Sequence, residues 1–210
     1  MKNIKEIVAS QLLQIKAIKL QPTNPFTWAS GWKSPIYCDN RKTLSFPEVR
    51  DFIKQQFATK IKELYSDADV IAGVATGAIA QGALVADLLN LPFIYIRSTP
   101  KGHGLENLIE GNLEKGQKVV IIEDLISTGG SSLKAAEAVR TAGGEVLGML
   151  AIFSYGFQIA TNNFNSAGVN LDTLSNYQTL LKVAVDKGYI GSDELETLNQ
   201  WRKAPDIWNK

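Results

Sequence analysis

The 210-residue sequence has few of the residues that build disulfides, metal clusters and membrane spans. Cys38 is the only cysteine and His103 the only histidine, which excludes an internal disulfide and a cysteine-based zinc cluster. Lysine and arginine number 22 against 21 acidic residues, so the formal net charge of +1 provides no overall field for nucleic acid or membranes. No apolar run approaches the ~20 residues of a membrane span. We therefore expect a globular protein with no nucleic-acid and no membrane partner, in which local basic residues carry any phosphate recognition.

The N-terminal segment mixes apolar and charged residues. Lys2, Lys5 and Lys16 leave no uninterrupted apolar core for a signal peptide, so a cytoplasmic location is expected. The alternative of a helix lying on a membrane surface is disfavoured, because strong tryptophan or phenylalanine anchors are absent. The apolar residues of this segment share one helical face and predict an amphipathic helix docked on its own domain: Ile4, Ile7, Val8, Leu12, Ile15 and Ile18.

Strand-like and helix-like segments alternate through the middle of the chain. This alternation predicts an α/β fold with a mostly parallel central sheet flanked by helices. Ligands bind such sheets beyond the carboxyl ends of the strands, which places the loops after residues 74, 97 and 122 at one site. The predicted strands cover 70–74, 93–96, 119–122, 144–153 and 169–174, and the predicted helices cover 47–64, 79–89, 133–140, 176–188 and 193–202.

The segment from Val119 to Ser132 is the most informative in the chain. Apolar residues 119–122 predict a buried strand, Glu123 and Asp124 follow at its expected end, and a run of small hydroxyl and glycine residues leads into a helix. Backbone N–H groups and the positive end of the helix dipole favour an anion there. The acidic pair suits sugar hydroxyls or a hydrated Mg²⁺. Together these groups predict a site for a phosphorylated ribose.

Other interpretations of this segment are weaker. An ordinary strand-to-helix connection also uses glycine and serine. The sequence has no G-x-x-x-x-G-K-[ST], so a P-loop is not supported. The segment around Gly102 and Gly104 lacks the third glycine and the preceding strand of a dinucleotide fingerprint.

Two further loops suggest phosphate chemistry. Small residues at 75–77 follow the first sheet strand, where the backbone can approach an anion closely, although a tight turn explains them as well. Arg97 sits at a strand end, where its guanidinium can grip phosphate bidentately. Lys101 and His103 then enter the long glycine-containing segment 98–116. We expect a lid that stabilises a departing pyrophosphate, with a solvated basic loop as the alternative.

These motifs resemble a known enzyme family. Residues 119–132 are similar to the signature of the type I phosphoribosyltransferases that binds 5-phosphoribosyl 1-pyrophosphate (PRPP), with Glu123 in place of the more frequent aspartate. The Arg97-x-x-x-Lys101-x-His103-Gly104 pattern resembles the catalytic loop of the orotate phosphoribosyltransferases. A predicted hairpin over 25–41 resembles that family's hood over the base through Phe26, Ser30, Gly31, Lys33, Ser34, Pro35 and Tyr37.

The resemblance spans about residues 8–208 and implies the type I phosphoribosyltransferase fold with a small N-terminal hood. It implies that residues 1–45 form the N-terminal helix and hood, completed by part of the C-terminal region. Residues 46–165 would form the PRPP-binding α/β core, and 166–210 the C-terminal strand and helices of one compact unit. The implied reaction joins orotate and PRPP into orotidine 5'-monophosphate and pyrophosphate, with Mg²⁺, in de novo UMP biosynthesis. A homodimer is implied in which the Arg97/Lys101/His103 loop is shared across the interface.

The resemblance also implies roles for individual residues. Lys101, His103 and Asp124 would be catalytic, and Mg²⁺ would be held mainly through PRPP and water without an assigned protein ligand. Tyr37, Cys38 and Ser127 would contact orotate. The remaining PRPP-binding residues would be Arg97 with Lys101 and His103 at the pyrophosphate, Ala75, Thr76 and Gly77 in the pyrophosphate loop, Glu123 with Asp124 at the ribose, and Ser127, Thr128, Gly129, Gly130 and Ser131 around the 5-phosphate. Leu125 and Ile126 would also bind PRPP.

The chain also departs from the family pattern. Ala29 and Ser98 stand where some members have lysines, and residues 153–157 contain no arginine, so the partner of the orotate carboxylate stays open. Lys33 and Arg41 are the candidates. A purine phosphoribosyltransferase is an alternative that the hood pattern disfavours. A non-catalytic PRPP-sensing regulator is another, disfavoured because the sequence shows no DNA- or RNA-binding addition and no basic face.

Overall fold

The computed structural model describes residues 3–28, 31–99 and 108–208. Two short 3₁₀ helices, Asn40–Ser45 and Ser192–Glu194, lie among the regular elements. The α-helices of the described ranges are α1 (Ile4–Gln14), α2 (Pro47–Leu64), α3 (Ile79–Leu89), α4 (Gly130–Thr141), α5 (Gln158–Ser166), α6 (Tyr177–Asp186) and α7 (Leu195–Lys203). The strands are β1 (Ile18–Leu20), β2 (Phe26–Thr27), β3 (Lys33–Ser34), β4 (Ile36–Cys38), β5 (Val70–Val74), β6 (Phe93–Ile96), β7 (Ile109–Glu110), β8 (Lys118–Ile126), β9 (Glu145–Ser154) and β10 (Leu171–Asn176).

A six-stranded sheet in the order β10-β9-β8-β5-β6-β7 forms the centre, and only β7 runs antiparallel to its neighbour. Successive side chains of a strand point to opposite faces, so each strand supplies two apolar layers. Val119 and Ile121 belong to the layer under α4 and α5, whereas Val120 and Ile122 belong to the layer that contains residues of α2, α3 and α6. The predicted α/β fold with a mostly parallel sheet is confirmed.

Strand β8 is longer than the apolar run from which it was predicted. It continues through Glu123 and Asp124 to Ile126, so the expectation that the acidic pair lies at the strand end was wrong. The pairing explains the difference. On one side β5 pairs with β8 only as far as Ile122, whereas on the other side β9 stays paired up to Ile126 and Ser154. The acidic pair therefore lies on a stretch of strand that is supported by β9 beyond the last pair with β5.

The N-terminal region forms two small sheets beside the central one. Helix α1 ends at Gln14, and Lys16 takes a left-handed φ of 55° before β1 begins. Ile18, expected on the helix face, belongs instead to β1, where it pairs with Cys38 of β4. Strands β2 and β3 form the expected hairpin, but the second run of that hairpin bends away into β4 and pairs with β1. In place of the single predicted hairpin, the structure has two antiparallel strand pairs, β2 with β3 and β1 with β4.

The segment 98–116 was expected to lack regular structure, but its described part contains strand β7. Strand β7 pairs antiparallel with β6, with Tyr95 opposite Glu110. The pairing of these short strands depends on a neighbour twelve or more residues away, which local sequence patterns do not reveal. Lys101 and His103 lie outside the described residues, as do Ala29 and Ser30. No helix in the described ranges is both long and apolar enough to cross a membrane.

Candidate active site

Two cavities adjoin the carboxyl ends of the central strands, and the larger one also extends along α4 as far as Thr141 and Ala142. The larger cavity has a volume of about 960 Å³, and Ala75 after β5, Arg97 after β6 and Ser131 in the first turn of α4 all line it. The structure therefore brings together residues from the three loops that the strand order predicted to converge. A guanidinium, a helix N-terminus and a small-residue loop around one space make an environment for anionic oxygens.

The smaller cavity, of about 310 Å³, lies between the N-terminal sheets and the signature segment. Ser127 lines it, whereas Ser131 lines the larger cavity, so residues 127–131 connect the two spaces. Tyr37, Cys38, Leu125 and Ser127 were predicted to belong to the site, whereas Thr27, Trp28 and Tyr155 were not. The residues that line the smaller cavity are Thr27, Trp28, Tyr37, Cys38, Leu125, Ser127 and Tyr155.

The loop between β8 and α4 is held in place by α5. Gly129 has a left-handed φ of 83°, and a Cβ atom built there would lie 2.7 Å from Cε2 of Phe164, so only glycine fits. Asn163 Nδ2 donates a hydrogen bond of 3.0 Å to the carbonyl of Thr128. Helix α4 begins at Gly130, where the first-turn N–H groups have no intrahelical acceptor. This geometry leaves backbone donors available to an anion. The supporting role of Asn163, 35 residues along the chain, was not predicted.

Glu123 is buried, with 5% of its surface exposed. One carboxyl oxygen accepts a hydrogen bond of 2.8 Å from Ser132 Oγ, and the other accepts one of 3.0 Å from the backbone N–H of Asp124. Burial, and then the neighbouring charge of Asp124, raises the pKa of Glu123 to about 8. The Glu123 side chain thus points toward α4, and both of its oxygens have partners within the protein.

Asp124 points the other way, as the alternation of a strand requires. A Cβ atom added to Gly77 would overlap the Asp124 carboxylate, so the two residues are in direct contact. Asp124 is half-buried, and its carbonyl oxygen accepts a hydrogen bond of 2.6 Å from Asn40 Nδ2. The peptide bond between Ala75 and Thr76 in the same loop is cis. The carboxylate that adjoins the loop after β5 is therefore that of Asp124.

Buried polar side chains link the first 3₁₀ helix to this strand. Asn40 Oδ1 accepts a hydrogen bond of 3.3 Å from the Cys38 thiol, and Thr43 Oγ1 donates one of 2.6 Å to the Asn40 carbonyl. Gln81 Nε2 of α3 donates to Thr43 Oγ1 at 3.2 Å. Burial, followed by the charges of Asp124 and Asp39, raises the pKa of the Cys38 thiol, which keeps it neutral. Asn40 and Thr43 were missed because no local pattern marks a residue that contacts the chain 84 positions away.

Three of the predicted cations, Arg97, Lys33 and Arg41, lie within the described residues, and each is engaged with one of the protein's own side chains. Arg97 lies 3.4 Å from Glu110 of β7, so a bound phosphate would compete with that carboxylate. Lys33 Nζ donates to Thr27 Oγ1 at 2.8 Å, and Arg41 is paired with Asp39 at 2.7 Å on the surface. Neither Lys33 nor Arg41 lines the smaller cavity.

Comparison with known proteins agrees with this architecture. A family described as "Phosphoribosyl transferase domain" matches residues 43–162, more than half of the chain. The chain is 61% identical to an orotate phosphoribosyltransferase from Porphyromonas gingivalis and covers 99% of both sequences. It is 63% identical to one from Bacteroides thetaiotaomicron, covering 100% of this chain and 99% of that protein.

The chain belongs to the orotate phosphoribosyltransferase family. A crystal structure of an orotate phosphoribosyltransferase from Aeropyrum pernix is similar, with a TM-score of 0.76 and 28% identity over 88% of this chain and 99% of that chain. The central sheet with its flanking helices is accordingly the type I phosphoribosyltransferase fold, and the family membership predicted from the signature, lid and hood motifs is confirmed.

Phosphoribosyltransferases generally use Mg²⁺ with PRPP, and the side chains of this family member fit an indirectly held ion. Within residues 3–28, 31–99 and 108–208, no three histidine, cysteine or acidic side chains come together as a metal site. Mg²⁺ keeps several waters and binds through one or two carboxylates plus substrate phosphates. The half-buried carboxylate of Asp124, beside the larger cavity's Ala75 loop, suits that mode of binding.

Proposed function

We propose that this protein transfers the 5-phosphoribosyl group from PRPP to orotate, giving orotidine 5'-monophosphate and pyrophosphate in UMP biosynthesis. The observation that carries the proposal is the pair of cavities connected by residues 127–131. One cavity combines a guanidinium with a helix N-terminus, and the other is lined by aromatic and hydroxyl side chains. A reaction that joins a phosphorylated sugar to a flat heterocycle needs two such compartments that meet at the anomeric carbon.

Beside the larger cavity, which Ser131 lines, the backbone of residues 127–131 would cradle the 5-phosphate. Arg97 and the 75–77 loop would face the pyrophosphate, and the Asp124 carboxylate would hold ribose hydroxyls. Glu123 would support the site mainly indirectly, by holding Ser132 and the Asp124 backbone, because both of its carboxyl oxygens already accept hydrogen bonds from them. Mg²⁺, when bound, would neutralise charge on the pyrophosphate. Ile126 would contribute only backbone, because its side chain is fully buried and its carbonyl accepts from Tyr155 N–H at 3.1 Å.

In the smaller cavity, Tyr37, Cys38 and Ser127 would surround the pyrimidine. Orotate is already an anion at neutral pH, so the protein does not have to supply a strong general base. The sugar carbon would pass through an oxocarbenium-like state, as in other glycosyl transfers. The protein's own contribution would be to hold both substrates in line and to exclude water.

The remaining parts of the proposal come from the family resemblance. Lys101 and His103 would stabilise the departing pyrophosphate from a loop shared across a homodimer. A cytoplasmic location also stays a prediction. The domain boundaries at residues 45 and 165 belong to the same proposal. In support of a hood completed by C-terminal residues, Trp28 lies 5.6 Å from Trp201 of α7, measured between ring centroids.

The loss of orotate absorbance in the presence of PRPP and Mg²⁺ tests the proposal. Adenine, hypoxanthine and uracil are assayed in parallel with the same protein. Of the four bases, we expect only orotate to be turned over. Turnover with a purine instead of orotate would favour the purine phosphoribosyltransferase alternative. PRPP binding without turnover of any base would favour the regulator.

A further inference from the structure

Among the residues that the structure describes, none that lines the smaller cavity carries a charge to receive the negative charge of orotate. Its lining consists of neutral side chains, and the charged candidates Lys33 and Arg41 lie elsewhere, each engaged by a neighbouring side chain. Within the described residues, recognition of an anion in this cavity therefore falls to neutral hydrogen-bond donors. The inference that follows rests on the proposed function, because it takes orotate as the occupant.

Tyr155 is the most deeply buried of these donors. It is 2% exposed, and aromatic rings pack around it on several sides. Its ring centroid lies 5.4 Å from that of Trp28, 5.4 Å from Phe157, 5.7 Å from Trp201 and 5.8 Å from Phe153. A tyrosine fixed in this way loses little further side-chain freedom when a ligand binds, so a hydrogen bond from it costs little entropy.

The backbone polar groups of Tyr155 are already used. Its N–H donates to the Ile126 carbonyl at 3.1 Å, and its carbonyl accepts from Arg202 Nε at 3.2 Å. A second guanidinium nitrogen of Arg202 donates to the Gly156 carbonyl at 2.8 Å, which pins this turn to α7. The hydroxyl is thus the polar group of Tyr155 that is left to face the cavity, and none of the described residues forms a hydrogen bond with it.

The electrostatic surroundings keep this hydroxyl a donor. Burial raises the pKa of Tyr155 well above its usual range, and Cys38, Tyr177, Asp124 and Tyr37 add to the rise. Cys38 and Tyr37 line the same cavity, so the hydroxyl lies near the groups that surround the ligand space. A phenol that stays protonated can donate to an anion over the whole working pH range.

We propose that Tyr155 is a specificity-determining residue whose hydroxyl donates a hydrogen bond to the carboxylate-bearing edge of orotate. Arg202 is a positioning residue that fixes the backbone from which Tyr155 projects. The pairing of a buried neutral donor with an anionic substrate also gives selectivity, since a base without the carboxylate leaves that buried donor unpaired.

Tyr155→Phe is compared with a matched control, Tyr177→Phe. Both tyrosines are buried, but the hydroxyl of Tyr177 donates to the Leu198 carbonyl at 2.9 Å, whereas none of the described residues binds that of Tyr155. We expect Y155F to raise the KM for orotate about tenfold or more, since a hydrogen bond to a charged group is lost. The KM for PRPP, the kcat at saturating orotate and the Tm should stay close to wild type. The control should show the reverse, with a lower Tm and an unchanged KM for orotate.

An unchanged KM for orotate in Y155F would overturn the inference while leaving the proposed function intact. Equal increases in the KM values for orotate and PRPP would also overturn it, because they would indicate a general distortion of the site. A wild-type protein without turnover of orotate would instead refute the proposed function. The two failures are therefore distinguished by the wild-type reaction.

Discussion

Glu123→Gln should remove a large part of the pH dependence of stability. The glutamate is 5% exposed and has a pKa raised to about 8, against an ordinary value of 4.5. Because the folded state holds this proton more tightly than the unfolded chain, the carboxyl stabilises the fold fully below pH 4.5. That contribution is lost as the pH rises from 4.5 to about 8 and stays lost above it.

The size of the effect follows from the same two values. Each pH unit between them is worth ~1.4 kcal/mol of unfolding free energy. The interval of 8 − 4.5 = 3.5 pH units then gives roughly 5 kcal/mol as an upper bound. Glutamine has the shape of the protonated acid. Its oxygen can accept from the Asp124 N–H, and its amide can donate to Ser132 Oγ, so the variant should keep both contacts that hold Glu123 in place.

Urea denaturation at intervals from pH 5 to pH 9 measures this difference. The free energy of unfolding of wild type, relative to that of Glu123→Gln, should fall with rising pH and level off above about pH 8. Titrating groups that do not interact with Glu123 are common to both proteins and cancel in the difference. Ser132→Ala serves as a control, because it removes a hydrogen bond that lowers the pKa of Glu123 and should therefore keep the slope. Parallel curves for wild type and Glu123→Gln would refute the account of a buried, protonated glutamate.

Four other variants test the larger cavity and the lid. Gly77→Ala places a methyl group against the Asp124 carboxylate. Because the carboxylate would be displaced, kcat/KM for PRPP should drop about 10²-fold. Wild-type values would contradict the contact between Gly77 and Asp124. Asn163→Ala removes the donor to the Thr128 carbonyl and should raise the KM for PRPP about fivefold with an unchanged KM for orotate; equal changes in both would contradict a local role. Lys101→Ala should lower kcat by ~10²–10³ in a protein with wild-type Tm, and an unchanged kcat would remove Lys101 from the chemistry. Mixing Lys101→Ala with Asp124→Asn protein should restore part of the activity if the lid is shared, and verified heterodimers without activity would contradict sharing.

Features encoded by local pattern could be predicted from the sequence. Three local patterns place loops at the carboxyl edge of the sheet. They are the apolar run at 119–122, the small residues at 127–131 and the position of Arg97 after a strand. The structure brings Ala75, Arg97 and Ser131 to one cavity, as the strand order implied. Family membership followed from the order of three motifs, since each alone is short.

Features that depend on distant partners could not be predicted. The length of β8 is set by β9, which continues beyond the last pair with β5. The burial of Glu123 depends on how α4 packs against β8. That packing brings Ser132 within hydrogen-bond distance of Glu123, a contact that the order of residues in the signature does not show. Tyr155 joins the smaller cavity because α7 and the N-terminal sheets close around it. In each case a tertiary contact decides the environment of a residue whose local sequence is unremarkable.

The stoichiometry of the reaction tests the central claim most directly. The protein is mixed with PRPP, orotate and Mg²⁺, and phosphorus NMR follows all phosphate groups while absorbance follows orotate. We predict that each orotate consumed is matched by one PRPP lost, one pyrophosphate released and one orotidine 5'-monophosphate formed, whose phosphate monoester is that of PRPP. PRPP should be stable when orotate is omitted. Pyrophosphate release that does not depend on orotate, or PRPP that persists while orotate is present, would contradict this prediction.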